Sequence, residues 1–65
     1  MKLKHDKLEK LLESRGWTHV IFAQKLEMDY SYIYRVMHKQ RGIGKKFITR
    51  FIMLSEEEGF NFKDY

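Results

Sequence analysis

Apolar side chains recur at spacings of three and four throughout this chain, and that periodicity restricts the fold to packed helices. Leu8, Leu11 and Leu12 form one stripe; Phe22, Ala23 and Leu26 a second; Ile33, Val36 and Met37 a third. Phe47, Ile48, Phe51, Ile52 and Leu54 form the fourth. With 65 residues and no cysteine, the chain has neither a disulfide nor a thiolate-bound metal to hold it together. A domain this small buries only roughly 60% of the surface its unfolded chain exposes. The four stripes, with Trp17, must therefore share one core. Residues 1–65 read as a single all-α domain, a small bundle of four to five helices.

Glycines at 16, 42, 44 and 59 punctuate the stripes, and there is no proline. The first helix is expected from about Lys4 to Arg15, with Asp6 and Glu9 as a capping start and Gly16 as its stop. Thr18 is a good N-cap for a second helix that ends near Leu26 or Glu27. A fourth helix is expected from near Lys45 to just before Gly59. The tail from Phe60 to Tyr65 begins a fifth turn capped by Asn61. Its three aromatics favour burial, either within the fold or in a dimer seam.

The stretch DYSYIYRVMHKQRG, Asp29 to Gly42, is ambiguous at first sight. Tyr30, Tyr32 and Tyr34 alternate as strand residues do. A strand would need a partner strand, and every other segment has helical period. It would also need a turn after Val36, and no turn residue occurs before Gly42. Asp29 as N-cap and the Ile33, Val36, Met37 stripe predict a helix from Tyr30 to about Lys39. The arc opposite that stripe holds Ser31, Arg35 and His38. Tyr34 and Tyr32 border the arc, and Tyr30 lies at the helix tip.

The net charge is +4, and its distribution says more than its size. Residues 1–34 carry six basic and five acidic side chains. Residues 35–50 carry Arg35, Lys39, Arg41, Lys45, Lys46 and Arg50 with no acid among them. The remainder sets Lys63 against Glu56, Glu57, Glu58 and Asp64. One strongly cationic segment fits a polyanionic partner. The fourth helix adds to this. Lys45 and Lys46 fall in its first turn and the three glutamates in its last, the reverse of what the helix dipole favours, at about 0.3–1 kcal/mol each. A phosphate at the lysine end would offset that cost.

Little in the chain points to catalysis. His5, His19 and His38 lack metal-ligand spacing, and no glycine-rich phosphate loop occurs. Ser14, Ser31 and Ser55 have no motif around them, and Glu56–Glu58 read as a solvated face. No cofactor or small-molecule ligand is implied, so a binding protein is expected rather than an enzyme. No apolar run approaches the ~20 residues that span a membrane, and the N-terminus has no apolar signal region. The simplest expectation is a soluble, cytoplasmic protein.

Two short helices, Thr18–Leu26 and Tyr30–Lys39, joined by Glu27–Asp29, have helix-turn-helix spacing. The second helix of such a motif lies in the DNA major groove. Its outward Arg35 can bond guanine bidentately and Ser31 can bond a base edge. Tyrosine hydroxyls and His38 can bond phosphates. The basic loop Lys39-Gln40-Arg41-Gly42 follows directly and can track the backbone. Arg35 could instead pair with Glu27 or Asp29, and Tyr34 and His38 could be ordinary surface residues.

The run GWTHVIFAQKLEMDYSYIYRVMHKQRGIG resembles the helix-turn-helix of the lambda-repressor and Cro-like (XRE-type) family. Thr18, Phe22, Ala23, Leu26, Met28, Ile33 and Val36 occupy that family's cap and core places, and LEKLLESRGW resembles its first helix. The resemblance covers about residues 7–58. It implies base-edge roles for Tyr30, Ser31 and Arg35, with Tyr34 and His38 nearby. It places His19 where a glutamine usually touches phosphate or braces the recognition helix. It puts Lys45 and Lys46 in the region that approaches the DNA backbone or minor groove; His38, Lys39 and Arg41 are expected along the backbone from their own positions at and after the end of the second helix. It also implies a transcriptional repressor that binds double-stranded DNA as a homodimer. There are departures. Glu27 stands at the turn glycine, where a left-handed backbone would strain it by about 1 kcal/mol or more. Ile21 replaces an acidic residue, and Val20 is unusually apolar. A rival reading uses Val20, Ile21 and the aromatic tail as the contact surface of a protein-interaction module, an adaptor or antagonist of another regulator.

Overall fold

The computed structural model describes residues 2–65. Its four α-helices are α1 (His5–Arg15), α2 (His19–Leu26), α3 (Tyr30–Met37) and α4 (Lys45–Glu58), followed by a 3-10 turn over Phe62–Asp64. There is no strand among the described residues. The alternating tyrosines therefore lie on a helix, and Ile33, Val36 and Met37 are its buried side. No helix among the described residues is long and apolar enough to cross a membrane.

Local chemistry accounts for most helix ends. The Thr18 side chain accepts a hydrogen bond from Ile21 N (3.2 Å), and Asp29 accepts one from Ser31 N (3.3 Å). Each satisfies one of the donors that a helix start leaves without an internal partner. In the 3-10 turn Asn61 accepts from Lys63 N at 3.0 Å.

The expected capping start of α1 does not form. The bond from Leu8 N to Lys4 O (3.0 Å) begins the helix at His5, which puts Asp6 inside the first turn. The cap residue is Lys4, which makes no side-chain cap bond, and Glu9 turns instead to His19.

Each of the four helices is followed within two residues by a left-handed one. For α1 and α4 this is Gly16 (φ 69°) and Gly59 (φ 77°), where the absence of Cβ makes the conformation inexpensive. For α2 and α3 it is Glu27 (φ 55°) and Lys39 (φ 60°). At the end of α3, Lys39 N donates to Val36 O and Gln40 N to Arg35 O, at 3.1 and 2.8 Å. This double closure stops the helix at Met37, two residues before the expected Lys39.

The core is one cluster. Leu8, Phe22, Ile33, Val36, Phe47 and Phe51 are completely buried. Phe51 is its centre, with ring centroids 5.8 Å from Phe47, 6.2 Å from Phe22 and 5.5 Å from Phe60. Three residues expected as plain core are only half-buried: Trp17, Ile48 and Ile52. Phe47, Phe51 and Leu54 take the inward line of α4. Ile48 and Ile52 lie one residue, about 100°, further round and reach only its border.

The aromatic tail packs within the fold. Tyr65 meets Phe51 at 6.2 Å and Phe60 at 5.6 Å. Lys4 N donates to Tyr65 O at 2.7 Å, which joins the two ends of the described chain.

Candidate nucleic-acid interface

The outward side of α3 follows from its buried side. With Ile33, Val36 and Met37 sealed in the core, Tyr30, Ser31, Tyr34, Arg35 and His38 face outward, all exposed. The rings among them form a connected row. Tyr30 and Tyr34, one turn apart, have centroids 6.1 Å apart. Tyr34 stacks on His38 at 4.0 Å, and His38 Nδ1 donates to Tyr34 O at 2.8 Å. His19, at the start of α2, meets His38 edge-on at 5.8 Å and donates from Nε2 to Glu9 Oε1 at 2.7 Å. Four of the sequence-derived candidates, Tyr30, Tyr34, His38 and His19, are thus physically contiguous across two helices.

Arg35 stands beside this row without an ion pair among the described residues. The two acids that could have neutralised it are engaged elsewhere. Glu27 accepts from Arg50 Nη1 at 2.7 Å, and Asp29 caps α3. The Arg50 contact also ties the left-handed Glu27, in the turn between α2 and α3, to α4. That turn is shaped as a glycine would shape it, with Glu27 in the glycine's conformation.

Tyr32 does something the sequence did not announce. Its hydroxyl accepts from Gly44 N at 3.0 Å and donates to Gly42 O at 3.4 Å. The Arg41 guanidinium sits 5.0 Å over the same ring. One side chain of α3 therefore ties down the loop and the N-cap of α4. Lys45 and Lys46 begin α4 just after that tether, both exposed and without an ion pair among the described residues. At the other end of α4, Arg15 donates to Glu58 Oε1 and to Glu58 O, both at 3.0 Å. That contact relieves the dipole mismatch at the acidic end, and the lysine end has no such relief.

Lys39 and Arg41 lie on the loop that follows α3, as the chain order requires. They line an open groove beyond its C-terminal end, opposite Lys2, Lys4, Lys7 and Lys10. The sequence concealed this because residues 1–34 are nearly charge-neutral when counted along the chain. The spacing of Lys4, Lys7 and Lys10 by three was the available signal for a basic face.

No family model, curated protein or solved structure matches this chain. The resemblance to the lambda-repressor and Cro-like family rests on the residue pattern alone. Among the described residues, no three or more histidine, aspartate or glutamate side chains come together to hold a metal ion. The surfaces left for the rival reading are reduced: the aromatic tail is packed inward, and Val20, at 46% exposed, remains outside.

Proposed function

We propose that this protein is a sequence-specific double-stranded DNA-binding regulator, acting as a repressor by occupying its site. In this reading α2, the three-residue turn and α3 form a helix-turn-helix, with α3 in the major groove. The observation that carries the reading is the unneutralised Arg35 on the outward side of α3, beside a row of hydrogen-bonding rings. A guanidinium with no internal partner is free for bidentate contact with a guanine edge. Ser31, Tyr30 and Tyr34 border it as further base-edge groups. His19, His38, Lys45 and Lys46 are placed by this reading along phosphates.

A domain this small makes few contacts, and two copies on a pseudo-palindromic site would raise affinity by linking two binding events. The family resemblance implies that arrangement. Regulation by occupancy needs no catalytic group or cofactor.

Selection from a random duplex library tests the reading, because it reports base preference, half-site spacing and symmetry together. The expected result is an enriched motif. Arg35→Ala should weaken binding to it by about 1–3 kcal/mol and relax preference at one position. Enrichment of no motif, with binding that depends on phosphate alone, would refute sequence-specific regulation.

A further inference from the structure

The groove beyond the C-terminal end of α3 has walls from two distant parts of the chain. One wall is the N-terminal segment and the start of α1, with Lys2, Lys4, Lys7 and Lys10; the other is the loop after α3, with Lys39 and Arg41. Asp6 is the single acid against these six cations. Leu3 and Ile43, both half-buried and packed on the core, supply apolar surface between them.

Both walls are fixed. His5 Nε2 donates to Val36 O at 2.9 Å, which locks the start of α1 to the end of α3. The Lys4 backbone is bonded to Tyr65, and the loop is tied by Tyr32. Backbone and core contacts therefore set these like charges around one groove, a placement that their mutual repulsion opposes. None of the six makes an ion pair among the described residues. A bound polyanion would relieve that repulsion.

We propose that this groove binds the sugar-phosphate backbone of duplex DNA flanking the site occupied by α3, as a second, sequence-independent anchor. The inference rests on the DNA-binding reading above. Two features favour nucleic acid over an acidic peptide. Five of the six cations are lysines, point charges on flexible stems that suit a repeating phosphate chain without demanding one geometry. The loop wall of the groove also begins at the C-terminal end of α3, where Lys39 follows His38 in the chain. A duplex lying along α3 would leave its C-terminal end towards these side chains.

The test compares the unmodified protein with the triple variant Lys4→Gln, Lys7→Gln, Lys10→Gln, on a short duplex limited to the selected motif and on one extended beyond it. All three lysines are exposed, and thermal unfolding checks that the variant is folded. On the extended duplex, the slope of log affinity against log salt should become shallower by up to about 2.7, at about 0.9 per phosphate contact. The selected motif should stay the same. Ethylation of phosphates on one flank should hinder binding of the unmodified protein, a readout that does not depend on the variant folding. Unchanged slopes, or interference confined to the motif, would overturn the groove while leaving the α3 reading standing. Retention of polyglutamate with no duplex binding would overturn both.

Discussion

Replacing Lys39 by glycine should make the domain more stable although it removes a side chain. Lys39 is left-handed at φ 60°, a conformation that costs a residue with a Cβ about 1–2 kcal/mol. Glycine escapes that cost but gains freedom in the unfolded chain, which takes back about 0.5–1 kcal/mol. The two bonds that close α3, Lys39 N to Val36 O and Gln40 N to Arg35 O, are backbone bonds and survive the change. The Lys39 side chain makes no hydrogen bond or ion pair among the described residues that would be lost. The expected net gain is about 0.5–1 kcal/mol. Against a total of about 3–10 kcal/mol for a domain of this length, that is a rise in melting temperature of about 2–8 °C.

Thermal and urea unfolding of the purified variant would measure it. Glu27→Gly is the matched control. It relieves the same strain at φ 55° but loses the exposed contact with Arg50, worth about 0.2–1 kcal/mol, so it should be close to neutral. A lower midpoint for Lys39→Gly would refute the left-handed closure of α3. The same substitution removes a cation from the groove, so affinity for extended duplexes should fall while stability rises.

Two further outcomes are expected. Phe51→Ala removes the ring at the centre of the aromatic core and should cost about 3–5 kcal/mol, enough to unfold much of the population at 25 °C. Circular dichroism would read this, with Phe51→Leu retaining the fold. Tyr32→Phe keeps the ring but deletes both hydroxyl contacts of the loop tether. It should cost about 0.5–1.5 kcal/mol and speed amide exchange at Gly44, and unaltered exchange there would show that the hydroxyl is no tether.

The spacing of apolar residues determined the helices by itself, because a helix must bury one side and only period 3.6 puts Ile33, Val36 and Met37 together. Local capping chemistry likewise determined the starts at Thr18 and Asp29 and the stops at Gly16 and Gly59. The glutamate at the turn between α2 and α3 was visible as a conflict between residue type and backbone. The helix that carries Arg35 and its outward neighbours was legible for the same reason as the core, since the outward arc is what the buried stripe leaves.

Tertiary structure decided everything that joins residues far apart in sequence. It directed Glu27 to Arg50 and so left Arg35 without a partner. It drew His19 into the ring row, folded the aromatic tail onto Phe51 and assigned Tyr32 to the loop. It also set the lysines of the N-terminal segment opposite Lys39 and Arg41. Counting charge along the chain cannot reveal that last arrangement. Electrostatic repulsion depends on distance through space, and the core and backbone contacts determine which charges become neighbours.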